Sequence, residues 1–127
     1  MSHTSAWAHR LAIAEDTVRD TLRRLPAELR VQAEHVLVKH ERRVPRDQLD
    51  DGVEPDTMGL FLGCSFAEEE QSSDPLPPRI LLFLDEIWDE AEGDAAVYRD
   101  EVRRTYLHEL GHYLGFDEDG LADRGLE

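Results

Sequence analysis

The fold is decided by the run from Ala95 to Gly115, AAVYRDEVRRTYLHELGHYLG. This run is predicted to form the last helix of the chain, and it contains the sequence HELGH at residues 108–112. Four residues advance an α-helix by about 400°, so His108 and His112 are expected on one face, roughly 5 to 6 Å apart. Two imidazoles placed in this way can bind one metal ion together.

The ion that suits this pair is Zn2+. Each imidazole can supply a nitrogen lone pair at about 2.0 to 2.1 Å from the metal. Glu109, one position along, projects beside the ion, where its carboxylate can take a proton from bound water. The residue types and their spacing therefore predict a zinc peptidase site, with His108 and His112 as metal ligands and Glu109 as the general base.

The third metal ligand is expected just after this helix. Gly115 follows the second histidine by three residues, and a glycine in the left-handed conformation can end a helix there and turn the chain back. Glu118 is then predicted to complete a His2Glu site that leaves one position open for water. Acids at a helix C-terminus oppose the helix dipole, and a bound metal would explain their presence. The alternatives are an upstream residue or one of the other nearby acids: Asp117, Asp119, Asp123 and Glu127.

The chain before this helix is predicted to form one further long helix and three strands. Apolar residues recur every three or four positions over Thr4–Leu25, which indicates an amphipathic helix, and a short helical stretch follows Pro26. The predicted strands are His35–Val44, Met58–Phe66 and Ile80–Asp85. Polar connections are predicted at 46–57, 67–78 and 86–94. This order predicts an α+β fold with a small mixed or antiparallel sheet, packed on the N-terminal helix and on the C-terminal HELGH helix.

The composition indicates one folded domain over residues 1–127, because 40% hydrophobic residues suffice for one modest core. The net charge of −15 repels phosphate backbones and anionic lipids, which argues against nucleic acid and membranes as partners. The excess acid lies in residues 47–127, with a balance of −18, against +3 for residues 1–46. A lone Cys64 excludes an internal disulfide, and no targeting segment is evident, so a cytoplasmic protein is expected.

The C-terminal sequence HELGHYLGFDEDGLADRGLE resembles the end of a family of small bacterial zincin-like metallopeptidases. The motif of that family is HExxHxxGxxD/E, followed by acids and a Gly-Leu near the terminus, and the match is close over residues 103–126. LPAELR before the first strand, GLFLG in the second and PPRILLF in the third also resemble the family. The resemblance implies a minimal α+β zincin in which His108, His112 and Glu118 bind Zn2+ and Glu109 is the general base.

The resemblance also implies a peptide or protein substrate, bound antiparallel to an edge strand. Either Met58–Phe66 or Ile80–Asp85 could supply that edge. The alternative function is a non-catalytic interaction or regulatory module, in which the metal stabilises the fold and Asp117 or Asp119 closes the site as a fourth ligand. Tyr106 and Tyr113, which flank the motif, are interpreted as packing residues. The sequence gives no indication of the oligomeric state.

Overall fold

A three-stranded mixed sheet lies at the centre of the molecule. The computed structural model describes residues 5–71, 73, 76–116 and 120. The strands are β1 (Leu37–Glu41), β2 (Gly59–Leu62) and β3 (Arg79–Phe83). They lie in the order β1-β3-β2, with β1 parallel and β2 antiparallel to β3. The predicted α+β fold class is confirmed.

Five helices accompany this sheet in the part of the chain that the structure describes. They are α1 (Ala6–Arg23), α2 (Ala27–Ala33), α3 (Arg46–Asp50), α4 (Leu84–Glu90) and α5 (Ala95–Leu114), with a 3-10 turn at Phe66–Gln71. The HELGH helix, α5, packs on β2 and β3, and α1 lies against α5. A search of the described helices for one long and apolar enough to cross a membrane found none.

The central strand β3 is buried on both of its faces. Ile80 and Leu82 belong to the main core together with residues of α1 and α5, whereas Leu81 and Phe83 pack with Val44 on the opposite face. A strand with apolar side chains on both faces is stable only when both faces are covered. The prediction that Ile80–Asp85 could serve as an edge strand is therefore wrong, since β3 pairs with a neighbour on each side.

Helix α4 lies where the sequence predicts a strand end followed by an acidic connection. Its inner side consists of Leu84 and Ile87, and the next buried position is Ala91. These residues are spaced by three and four, as on one face of a helix. The pattern is hidden in the sequence because four of the five positions between them are acids and Leu84 continues the apolar run of β3.

Two smaller differences from the prediction concern the long polar connections. Helix α3 occupies the first five residues of the predicted loop at 46–57, and Asp47 in its first turn interacts favourably with the helix dipole. The 3-10 turn lies at the start of the predicted loop at 67–78. Since α3 contains no buried residue, it does not change the predicted organisation of the core.

The three tyrosines of the chain all lie on α5, and all three side chains are buried: Tyr98, Tyr106 and Tyr113. The interpretation of Tyr106 and Tyr113 as packing residues is confirmed. Burial raises the pKa of the Tyr106 phenol to about 12. Burial also raises the pKa values of Tyr98 and Tyr113 well above their usual range, and the nearby Glu69 carboxylate raises that of Tyr113 further.

Both ends of α5 are fixed by hydrogen bonds that its own sequence provides. At the N-terminus, the Asp94 carboxylate accepts hydrogen bonds from two backbone N–H groups of the first turn, at 2.9 and 3.0 Å. At the C-terminus, Gly115 adopts the left-handed conformation with φ 79°. The backbone N–H of Phe116 then donates to the carbonyl of Gly111 at 2.9 Å, which completes a Schellman cap. The predicted end of the helix at Gly115 is confirmed.

Replacing Asp94 by alanine is expected to lower the free energy of unfolding by about 1 kcal/mol, because two backbone donors lose their acceptor. Asp94→Ser is the matched control, since serine also accepts hydrogen bonds at this position. Urea unfolding followed by circular dichroism measures the difference. Equal stability of the alanine and serine variants would contradict a stabilising role of this cap.

The three tyrosines are expected to ionise only when the protein unfolds at high pH. The phenol pKa is about 10 in an unfolded chain and is raised in the folded one. The resulting stabilisation is complete below pH 10 and is lost as the pH rises toward about 12. The near-ultraviolet absorbance of phenolate measures this directly, with the urea-unfolded protein as control. A phenolate signal that rises near pH 10 while the protein is still folded would contradict the burial of these side chains.

Candidate metal centre

The two histidines of the motif lie side by side on the exposed side of α5. Their ring centroids are 5.2 Å apart and the rings are nearly perpendicular, at 87°. The side chain of His108 is 49% exposed and that of His112 is 55% exposed. Both imidazoles can therefore be reached from solvent across the part of the surface that the structure describes.

Glu109 lies between these imidazoles and the protein interior. Its side chain is only 11% exposed. One carboxylate oxygen, Oε2, is 3.9 Å from Nε2 of His108 and 4.0 Å from Nε2 of His112. The carboxylate is thus almost equally close to both imidazoles, as a group must be if it is to act on a molecule held between them.

These three residues have the donor set of a zinc site. One ligand atom from each lies within 4.8 Å of the others. Two ligands at about 2.0 to 2.1 Å from a tetrahedral ion are roughly 3.4 Å apart, so small side-chain rotations suffice to bring the two imidazole nitrogens to ligand distance. The imidazole and carboxylate donors of these three residues therefore fit Zn2+.

The predicted third ligand, Glu118, lies outside the described residues, as do Asp117, Asp119, Asp123 and Glu127. Up to Phe116 the chain follows the predicted course. It leaves the helix through the left-handed Gly115, and the side chain of Phe116 packs against the main core. At Phe116 the chain has thus turned back toward the protein.

A cavity of about 410 Å³ lies beside the motif, between α5 and β2. Its walls are formed by Met58, Gly59, Glu101, Arg104, Thr105, His108 and Glu109. Arg104 is held at the rim by an ion pair with Asp100, whose carboxylate oxygen is 2.9 Å from Nε of the arginine. The cavity is thus lined by one imidazole of the pair, that of His108, and by Glu109.

The end of α5 is held from a second side by the 3-10 turn. The hydroxyl of Tyr113 donates to the carboxylate of Glu69 at 2.6 Å. The rings of Phe66 and Phe61 lie 6.0 and 6.1 Å from the Tyr113 ring. These contacts fix the helical turn that carries His112, the residue immediately before Tyr113.

The sequence left several residues of this region without a role. At Gly59, β2 makes a close approach to α5. Met58, Thr105 and Arg104 line the cavity without belonging to a motif, and Glu69 lies in a stretch predicted as a loop. Helical spacing could have placed two of them at the site in advance, since Arg104 lies four residues before His108 and Thr105 four residues before Glu109.

The family model for zincin-like metallopeptidases matches residues 32–126. A comparison with curated proteins found no match. The matched segment covers about three quarters of the chain and includes the three strands, α5 and the HELGH motif. Because the match extends over most of the chain and includes the histidine pair, the protein belongs to the zincin-like metallopeptidase family.

Proposed function

We propose that this protein is a single-domain, zinc-dependent peptidase that hydrolyses peptide bonds. His108, His112 and Glu118 hold the metal, and Glu109 is the general base. The observation that carries the proposal is the position of the Glu109 carboxylate, 3.9 and 4.0 Å from the two imidazole nitrogens of an accessible pair. A structural zinc site needs no such carboxylate beside its ligands, whereas peptide hydrolysis needs a base there.

Zinc, when bound, supplies a Lewis acid that polarises the scissile carbonyl. The neutral imidazoles of His108 and His112 hold the ion through their nitrogen lone pairs. The Glu109 carboxylate takes a proton from the attacking water and delivers it to the leaving amine nitrogen. The small exposed fraction of Glu109 limits its hydration and keeps its oxygen directed at the imidazole pair.

An extended peptide substrate is best accommodated along β2. In the described part of the chain, β2 pairs with β3 on one side only, so its other side can accept an extended peptide by backbone hydrogen bonds. The cavity of about 410 Å³ lies beside β2 and next to the motif. A peptide added antiparallel to β2 would pass the imidazoles and Glu109.

The chain's single cysteine, Cys64, cannot form an internal disulfide, and this supports a reducing cytoplasm as the place where the enzyme works. The partner is a peptide or protein substrate. The excess of acid in the sequence argues against nucleic acid and anionic membranes as partners.

The roles of Glu109 and His112 are separable by substitution. Glu109→Gln is expected to bind zinc with unchanged stoichiometry and to lose hydrolysis by about 100-fold or more, because an amide cannot accept the proton. His112→Ala is expected to lose stoichiometric zinc as well as activity. Zinc content by mass spectrometry and cleavage of a peptide library measure the two effects.

His9→Ala is the matched control, since His9 is an exposed histidine of α1 outside the site. It is expected to keep both zinc and hydrolysis. If His112→Ala binds zinc as well as the His9 variant does, the assignment of His112 as a ligand is wrong. Full activity of Glu109→Gln would exclude Glu109 as the base.

The third ligand is tested by three neutralising substitutions in the segment after α5. Glu118→Gln is expected to weaken zinc binding by more than about 10-fold. A loss of about 10-fold is already usual for residues that only hold a ligand in place, and the loss of a ligand itself should be larger. Asp117→Asn and Asp119→Asn, its matched controls, are expected to bind zinc nearly as well as the unaltered chain. A larger loss in either control would place the ligand there.

X-ray absorption of the zinc-loaded protein distinguishes the alternative function from the proposed one. A catalytic site is expected to show three protein ligands and an open position, and a closed, non-catalytic site four protein ligands. Four protein ligands together with a lower melting temperature on chelation, and no hydrolysis, would support the metal-stabilised interaction or regulatory module instead.

A further inference from the structure

Gly59 is a residue of β2 that lies in close contact with the HELGH helix. It faces α5, and its backbone does not lie in the left-handed region, so its conformation does not require glycine. Glycine is required here by the small space around the residue. A Cβ atom at this position would lie 2.5 Å from Cγ2 of Thr105 and 3.2 Å from Cγ of Glu109. The first distance is far below the van der Waals contact of two carbons, and the second is tight.

The backbones on either side of this contact have little freedom to move apart. β2 is held in register along β3, where Gly59 lies opposite Leu82, and the N–H of Phe83 donates to the carbonyl of Met58 at 2.9 Å. On the other side, α5 is fixed by its buried core residues. A larger side chain at position 59 must therefore displace side chains of α5.

The two side chains that meet position 59 differ in how they can respond. Thr105 is buried, short and branched at Cβ, so it has few other positions available. Glu109 has an unbranched side chain, and rotation about its Cα–Cβ bond moves Cγ together with the carboxylate beyond it. A substitution at Gly59 is thus expected to move the Glu109 carboxylate more easily than it moves the helix.

We propose that Gly59 is a positioning residue for Glu109. The missing side chain leaves a slot between β2 and α5 in which the aliphatic part of Glu109 lies, and this slot sets the carboxylate 3.9 and 4.0 Å from the two imidazole nitrogens. The inference rests on the function proposed above for Glu109, and it adds that the strand offered to the substrate also sets the place of the base.

The two contacts of position 59 can be separated by a second substitution. Thr105→Ser removes Cγ2, the atom at 2.5 Å, and keeps the hydroxyl. In Gly59→Ala/Thr105→Ser the severe overlap is therefore absent, while the contact with Cγ of Glu109 at 3.2 Å remains. If Gly59 has a purely structural role, the second substitution is expected to restore both the stability and the position of Glu109. A positioning role predicts that it restores stability and leaves Glu109 displaced.

The experiment compares four full-length proteins: the unaltered chain, Thr105→Ser, Gly59→Ala and the double variant. Gly59→Ala is expected to lower the melting temperature of the metal-free protein by about 5 °C or more, because overpacking strains the interface. The double variant is expected to regain most of this loss. Its kcat is expected to fall at least about 10-fold below that of Thr105→Ser, since a displacement of about 1 Å can cost up to 100-fold. Its KM and its Kd for zinc are expected to change by less than about threefold, which is well below the expected change in kcat.

Crystal structures of metal-free Thr105→Ser and of the metal-free double variant test the inference without reference to hydrolysis. The Glu109 carboxylate is expected to move by about 1 Å or more between them, with the backbones of β2 and α5 in place. An unmoved Glu109, or a kcat of the double variant equal to that of Thr105→Ser, would overturn the proposal. If even the unaltered chain cleaves no peptide, the proposed function fails, and the pair of crystal structures still decides whether Gly59 positions Glu109.

Discussion

The structure depends on one helix, α5, being buried along one side and chemically exposed along the other. Its inner side carries the three tyrosines and the apolar residues that pack on β2 and β3. Its outer side carries His108 and His112, each about half exposed. Because the same helix anchors the core and presents the imidazoles, the pair is held on a rigid element. Loss of the core packing would therefore also separate the residues of the candidate metal centre.

Glu109 lies at the boundary between these two sides, and its burial has an energetic cost. A carboxylate withdrawn from water costs several kcal/mol unless a counter-charge compensates it. In the described part of the chain, the two imidazoles lie 3.9 and 4.0 Å from this carboxylate, and they must be neutral to bind a metal. A divalent cation at this position would compensate the carboxylate, so the arrangement proposed for a general base also favours metal binding.

The HELGH motif and its helix could be predicted from the sequence because they depend on residues close together along the chain. The left-handed Gly115 at the end of the helix is equally local. The contact between Glu69 and Tyr113 joins residues 44 positions apart, and no pattern in either segment indicates it. Gly59 has an ordinary extended backbone, so its role is visible only once α5 lies over it. The central position of β3 likewise depends on strand pairing, since an apolar strand does not specify its neighbours.

The charge asymmetry of the sequence acts differently in two parts of the fold. Where the basic N-terminal segment meets the acidic remainder, ion pairs offset it, as between Arg10 of α1 and the buried Asp85 of α4 at 2.9 Å. Around the candidate metal centre, acidic groups outnumber basic ones. Two carboxylates, Glu101 and Glu109, line the cavity with one guanidinium, that of Arg104, which is already ion-paired. The excess negative charge at this place favours a divalent cation, so an acidic composition that disfavours phosphate and anionic lipid supports metal binding here.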